Sequence, residues 1–162
     1  KKPGKVWTYC KRLSDITKKV KDNSVNSIQW SHMDLLLYRE PKQSQVKTLE
    51  KTPIGREFIK AQLEISKQIL IASRPKIIVV SNTKARQYMT AIDSNELTMG
   101  FNCKVKNCDA AFGTPTLTIA PDLKNIPIFF TSMITSQRSL ENVSYDRLIW
   151  HIEHVVNKIN KK

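Results

Sequence analysis

The chain has 162 residues, of which 40% are hydrophobic and 25% charged, enough apolar chain to bury the core of one folded domain. It carries 27 lysines and arginines against 14 aspartates and glutamates, a net charge of +13. This composition excludes an apolar-poor disordered chain, and no apolar run reaches the roughly 18 residues that span a bilayer. We expect a polyanionic partner, DNA first and RNA second, no membrane partner, and a place inside the cell, in the cytoplasm or with the nucleoid or nucleus.

The first half of the chain alternates between helix and strand patterns. Apolar residues recur every three or four positions over residues 5–21, which indicates an amphipathic helix with a basic outer face. Residues 27–38 run into an apolar segment and predict a strand that a turn or loop follows. Residues 52–73 predict a long, well-buried helix. The β-branched run within residues 74–82 predicts a strand, and residues 83–92 predict a helix that leaves it.

The second half continues the alternation. Residues 94–122 suggest two short strands around a Gly-Thr-Pro turn, and residues 126–133 predict a fully buried strand. Residues 144–159 predict the last helix, with Ser144 as its N-cap. Continuous apolar strands separated by helices predict a single α/β domain over residues 1–162, a three-layer α/β/α sandwich with a mostly parallel central sheet.

The cysteines and histidines offer one weak metal pattern. Three cysteines, an odd number, exclude a complete set of disulfides within the chain. Four residues separate Cys103 from Cys108, and His151 and His154 share the last predicted helix, so a four-ligand zinc site can be written from them. The spacing of the two histidines is unusual for zinc fingers. We therefore expect free thiols, no metal and no cofactor, with both histidines in surface or helix-packing positions.

The tryptophans also have two interpretations. Trp7, Trp30 and Trp150 are most simply expected in the core, because an indole carries a large apolar surface. The alternative role for each is to stack on an exposed nucleic-acid base. The sequence leaves both interpretations open for all three.

Polar residues follow the clearest predicted strand. In open α/β sheets, ligands bind outside the carboxyl ends of the strands. The segment "SNTKAR" follows Val80, where Asn82 and Lys84 would place amide and cationic groups around a phosphate. The alternative is a plain capped helix, since the segment lacks the glycines of a phosphate-binding loop.

The segment "TSMITSQR", which follows Phe130, is the second such end. In the functional interpretation, Thr131 and Ser132 meet a phosphate or an extruded base, Met133 and Ile134 form an apolar wedge, and Arg138 contacts the DNA backbone. In the alternative, the hydroxyls end a strand, the apolar pair packs into the core, and the arginine is solvated.

The succession of segments is similar to that of the uracil-DNA glycosylase superfamily. "VWTYCKRLSDI" resembles the helix after the family's water-activating loop, and "MDLLLYRE" the strand in which an asparagine reads the uracil edge. "GREFIKAQLEISKQILIASRPKIIVVSNTKARQYM" resembles the next helix, strand and helix. "IPIFFTSMITSQRSLENVSYDRLIWHI" resembles the last strand, the DNA-pinching loop and the terminal helix.

The resemblance implies a glycosylase-like fold, DNA binding and excision of a base by hydrolysis of its N-glycosidic bond, with Asp34 and Thr131 at the catalytic positions. The chain departs from the family at both: Asp34 stands in place of the asparagine, and Thr131 in place of the histidine that stabilises the uracil anion. The family's first strand and water-activating loop would precede residue 1. A non-catalytic nucleic-acid-binding module on the same fold is the alternative function.

Overall fold

The computed structural model describes residues 8–20, 28–37, 43–90, 97–105, 112–116, 123–134 and 140–160. The helices are α1 (Thr8–Lys19), α2 (Gln43–Leu49), α3 (Pro53–Ser73), α4 (Thr83–Met89) and α5 (Asn142–Ile159). The strands are β1 (Ile78–Ser81), β2 (Asn102–Val105), β3 (Phe112–Thr116) and β4 (Ile128–Thr131). The predicted mixture of helices and strands is confirmed. In the part of the chain given by these ranges, no helix has the length and apolarity to cross a membrane.

The chain divides into two compact units. The sheet unit is Met33–Thr131, and the helix unit combines Lys1–His32 with Ser132–Lys162. The sheet unit contains every described strand together with α2, α3 and α4, and the helix unit contains α1 and α5. The single domain over residues 1–162 stays a prediction.

The sheet has the order β1-β4-β3-β2 and is mixed. The expected parallel pairing is found between β1 and β4, whereas β4 with β3 and β3 with β2 are antiparallel. The sequence predicted a mostly parallel sheet, and that prediction is wrong for the four described strands. Only residues 106–111 separate β2 from β3, and a parallel pairing needs a crossover of about a dozen residues or more.

The core of the sheet unit lies against one face of β1 and β4. Alternate side chains of the two strands point to that face: Ile78 and Val80 from β1, and Ile128 and Phe130 from β4. Helix α3 covers them with Ile59 and Leu63, and α4 with Tyr88 and Met89. Leu97, Met99, Phe101, Leu123 and Ile126 complete the cluster. Because these side chains are buried, both strands are rich in apolar residues, and those apolar runs allowed β1 and β4 to be predicted from the sequence.

Helix α3 begins and ends at clear signals. Thr52 is its N-cap, with a side chain that accepts a hydrogen bond from Gly55 N at 3.1 Å, and Pro53 is its first residue. A Cβ on Gly55 would overlap the backbone of Leu49 at the end of α2, so only glycine fits this helix corner. At the other end Arg74 adopts a left-handed conformation, φ 44°, which stops the helix.

Helix α3 is less buried than its sequence suggested. Ile59 and Leu63 face the core, but Phe58, Ile65 and Ile69 are exposed, Ile65 to 46%. The prediction of a well-buried helix is wrong for that second apolar face. Helical periodicity identifies apolar faces but does not state which of them another element covers.

The predicted strand over residues 27–38 is not formed in its described part, residues 28–37, which is irregular. Leu35 and Leu36 nevertheless pack against the core cluster. The carbonyl of Leu35 accepts a hydrogen bond from Ser66 Oγ of α3 at 2.6 Å. The apolar run is thus held by a helix instead of a neighbouring strand, and α2 follows where only a turn or loop was expected.

The two short strands predicted in the middle of the chain are present as β2 and β3. Gly113, Thr114 and Pro115 belong to β3, however, so they do not form the predicted turn.

Helix α5 buries one of its sides. Its buried residues are Tyr145, Leu148, Ile149, Ile152 and Val156. The helix starts earlier than predicted: Glu141 occupies the N-cap position, and Ser144 lies in the first turn, with its hydroxyl donating to Glu141 Oε1 at 3.1 Å. The N-cap assignment of Ser144 is therefore wrong, because the helix continues through Asn142 and Val143.

Replacing Ser66 by alanine tests how residues 33–37 are held. The Ser66 side chain is fully buried, so its loss leaves the Leu35 carbonyl without its donor. We expect Ser66→Ala to lower the free energy of unfolding by about 1–2 kcal/mol in urea titrations. Ser73→Ala, which removes a similar bond at an exposed position, is the control and should change stability by less than about 0.5 kcal/mol. Equal effects of the two substitutions would contradict this account.

Candidate nucleic-acid interface

The parallel pair brings two of the predicted site residues to one edge of the sheet. Ser81 at the end of β1 is in register with Thr131 at the end of β4. Asn82 follows Ser81 directly, so it and Thr131 lie at the carboxyl ends of neighbouring strands. Both side chains are half-buried. This edge is where the sheet of an α/β protein commonly meets a ligand.

Asn82 already has a structural role at this edge. Its side-chain oxygen accepts a hydrogen bond from Lys84 N at 2.7 Å, and it is the N-cap of α4. The capped-helix alternative is thus observed. A phosphate at this position would meet the amide nitrogen of Asn82, the donor of that side chain.

Lys84 is directed to a carboxylate of its own unit. Its Nζ lies 2.5 Å from Glu50 Oε1, and the Tyr88 hydroxyl donates to the same oxygen at 2.6 Å. The Lys84 ammonium also lies over the Tyr88 ring, 4.8 Å from its centroid. These contacts join α4 to the residue that follows α2. The positive charge of Lys84 is therefore largely balanced by Glu50.

This cluster shifts two pKa values. Burial by itself raises the pKa of Glu50, but hydrogen bonds from Lys84 and Tyr88, with the charges of Lys84 and Lys47, outweigh it and leave that pKa below its ordinary 4.5. Burial, with the hydrogen bond to Glu50 and its charge, raises the pKa of the Tyr88 phenol far above its ordinary value. The cluster therefore holds a carboxylate and a neutral phenol at neutral pH.

Arg86 of α4 and Cys103 of β2 are both half-buried. The Arg86 guanidinium stands over the Phe130 ring, 5.1 Å from its centroid. Burial raises the pKa of the Cys103 thiol to about 11, although the charge of Arg86 lowers it in part. A protonated thiol is a poor metal ligand. Among the described residues, no three His, Cys, Asp or Glu side chains are grouped to hold a metal ion, and Cys108 lies outside those residues.

Asp34 lies on the irregular segment 28–37, where its side chain is exposed. It immediately precedes Leu35, the residue anchored to Ser66 of α3. Asp34 is thus the sequence neighbour of a residue that α3 holds, and it does not lie within a strand of the sheet. Its predicted catalytic role stays a prediction, as does that of Thr131.

The segment after β4 belongs to the helix unit from Ser132 onwards. Ser132 is exposed and Met133 half-buried, and their predicted contacts with DNA stay predictions. Ile134 is only 1% exposed, so its predicted part in the wedge is wrong: it packs inside the helix unit. Arg138 lies outside the described residues.

Arg12 of α1 holds the two ends of this segment together. Its Nη1 donates to the carbonyl oxygens of Ile134 at 3.3 Å and Leu140 at 2.9 Å. Its Nη2 donates to Asn142 Oδ1 at 3.1 Å, and Leu140 N donates to the Met133 carbonyl at 2.9 Å. The Arg12 guanidinium thus binds the backbone at Ile134 and at Leu140, the residues on either side of 135–139.

Tyr145 of α5 positions Arg12 in turn. Its hydroxyl donates to the Arg12 carbonyl at 2.7 Å, and the Arg12 guanidinium lies 5.1 Å from the centre of its ring. Lys19 lies over the same ring at 5.2 Å and pairs with Asp146 at 3.1 Å. Arg12 was not predicted as a functional residue, because a basic residue on an amphipathic helix carries no signal for partners more than a hundred positions away.

The structure shows the surroundings of Trp150 and of the two histidines on α5. Trp150 is 59% exposed, so its core assignment is wrong, and Trp30 is 42% exposed as well. His154 stacks on Trp150 with ring centroids 5.6 Å apart, and His151 meets its edge at 4.9 Å. The expected packing role of both histidines is thus observed. Trp7 lies outside the described residues.

Comparison with known proteins adds no relative to these observations: no family model, no curated protein and no solved structure matches the chain.

Replacing Arg12 by lysine tests the closure of the segment after β4. Lysine keeps the charge but lacks the planar fork that reaches both carbonyls. We expect Arg12→Lys to raise the rate of tryptic cleavage after Arg138 severalfold, as followed by mass spectrometry under native conditions. Arg147→Lys, on the exposed side of α5, is the matched control. An unchanged rate in Arg12→Lys would show that Arg12 does not hold this segment.

The Glu50 cluster predicts a pH dependence of stability. Because the pKa of Glu50 is depressed in the folded protein, its contribution is present above 4.5 and is lost as the pH falls through the folded-state pKa. We expect the wild type to exceed Glu50→Gln in urea midpoint at about pH 7, with the difference shrinking towards about pH 3. Glu57→Gln, at an exposed pair with Lys60, should show no such trend. A constant difference across this range would contradict the assignment.

Proposed function

We propose that this protein binds DNA and has a three-layer, uracil-DNA glycosylase-like fold. The observation that carries the proposal is its net charge of +13, which favours a polyanion as partner. Exposed cations occur in both units of the described chain: Lys11, Lys18, Lys51, Lys76, Lys104, Lys124 and Lys158. The proposal invokes no metal or cofactor, and places the protein where DNA is found inside the cell.

The carboxyl edge of β1 and β4 supports one part of the interface. Asn82 and Thr131 present an amide and a hydroxyl there, groups that commonly bind phosphate or sugar without reading sequence. Lys84 contributes to this edge mainly by joining α4 to Glu50. Its effect on DNA is therefore expected to be indirect.

The segment after β4, in the helix unit, is a second candidate DNA-binding surface. Ser132 is exposed and Met133 half-buried, and Arg138 follows within the stretch whose ends Arg12 fixes. A segment with fixed ends loses less conformational entropy on binding than a free one. We assign Ser132 and Arg138 to phosphates and Met133 to a base step.

Base excision is the catalytic form of this proposal, with Thr131 donating a hydrogen bond to the developing base anion and Asp34 in the asparagine position. The chemistry of the catalytic positions favours the non-catalytic form. A carboxylate at Asp34 that faces the developing anion would oppose the reaction. The non-catalytic DNA-binding module is therefore the stronger of the two.

A titration with labelled DNA tests binding and catalysis together. Duplexes and single strands with and without uracil are titrated with the full chain at about 50 and about 200 mM salt, and each mixture is then treated with alkali. We expect affinity to fall at least about tenfold over this range, because phosphate contacts release counterions. Strand breaks confined to uracil would establish base excision. Binding without breaks would establish the non-catalytic module.

Two alanine variants make the same titration specific to the proposed interface. Arg138→Ala should reduce the salt slope by about one. Lys124→Ala, at the amino end of β4, is the charge-matched control and should leave the slope unchanged. Binding that is absent or insensitive to salt would contradict the proposed function, and equal effects of both variants would contradict the placement of the interface.

A further inference from the structure

The outer face of α5 combines aromatic and cationic side chains. Val143, Arg147, Trp150, His154 and Lys158 follow one another at steps of three or four residues, so they lie on one side of the helix. All five are exposed, whereas the opposite side of α5 is buried. This face is a separate feature from the segment after β4 and from the sheet edge.

The Trp150 ring is held in place by two neighbours on its own helix. The His154 ring is nearly parallel to it, with an interplanar angle of 13° and centroids 5.6 Å apart. The His151 ring meets it at 74° and 4.9 Å. Contacts of this kind restrict the rotamers of an exposed aromatic side chain, so less entropy is lost when a ligand stacks on it.

The exposure of Trp150 requires a reason. Indole is among the largest apolar side chains, and leaving it 59% exposed keeps in water an area whose burial is favourable. A ligand that covers the ring would recover that free energy. The chemistry around the ring decides which ligand fits.

The cations around Trp150 favour a polyanion over a neutral or basic protein surface, and the exposed indole beside them favours a nucleic acid among polyanions. Arg147 and Lys158 lie on the same face, within one or two turns of the ring. Asp146 points to Lys19 of α1, 3.1 Å away, and Glu153 is half-buried to the side. The face thus offers a π surface for a base and cations for the phosphates on either side, the combination found in single-strand binding sites.

We propose that Trp150 is a stacking platform for an unpaired base of single-stranded nucleic acid, with Arg147 and Lys158 placed for the adjoining phosphates. The proposal rests on the proposed function, because it names a surface by which a nucleic-acid-binding protein holds a single strand. In a duplex the bases are stacked on each other, so the platform acts on single strands alone.

The experiment is a fluorescence anisotropy titration of the full chain with a labelled oligothymidylate and with a duplex of the same length. Trp150→Leu should weaken binding of the single strand about five- to one-hundredfold and leave the duplex unchanged. Trp150→Phe keeps an aromatic face and should restore most of the affinity. Trp30→Leu, at another exposed tryptophan, is the matched control.

The outcomes separate this proposal from the one on which it rests. If the wild type binds the single strand and Trp150→Leu binds it equally well, the platform is refuted while nucleic-acid binding stands. An equal loss of affinity for the single strand and the duplex also refutes it. A duplex has no unpaired base to stack on Trp150, so removing that contact should leave duplex binding unchanged. If the wild type binds neither DNA, both proposals fail. Circular dichroism and urea midpoints of each variant check the fold. If Trp150→Leu perturbs the fold, the test depends on comparing the affinities of Trp150→Phe and Trp150→Leu for the single strand.

Discussion

The parallel pairing of β1 with β4 is the constraint on which the sheet unit depends. Its register, from Ile78 with Ile128 to Ser81 with Thr131, puts the buried side chains of both strands at the same level. The same register brings both strand ends to one edge of the sheet. The buried core and the polar edge are therefore set by one set of backbone hydrogen bonds, and a shift by one residue would move the buried side chains to the other face.

The excess of positive charge is used in two ways within the molecule. Some cations stabilise the fold. Lys84 forms an ion pair with Glu50, and Arg12 donates hydrogen bonds to carbonyl oxygens and lies over the Tyr145 ring. Others, such as Lys76 and Lys158, stand exposed at the surface. Net charge in the sequence thus indicates the class of partner, but it does not identify which cations meet that partner.

Local patterns made much of the fold predictable, whereas contacts between distant residues did not. Helices α1, α3, α4 and α5 and strands β1 and β4 were legible because periodicity and apolar runs are local signals. The segment around Asp34 was not, because an apolar run does not reveal that Ser66 will hold it instead of a strand. The exposure of Trp150 and the carbonyl contacts of Arg12 depend on tertiary packing, which composition and spacing do not encode.

Backbone hydrogen exchange of the full chain, with and without a DNA duplex, tests the central claim most directly. The account predicts that DNA slows exchange in residues 82–86, after β1, and in residues 131–134 and 140, around the segment closed by Arg12. Protection confined to the exposed face of α3 or to the amino ends of β1 and β4 would contradict it, as would no protection at a DNA concentration that saturates binding.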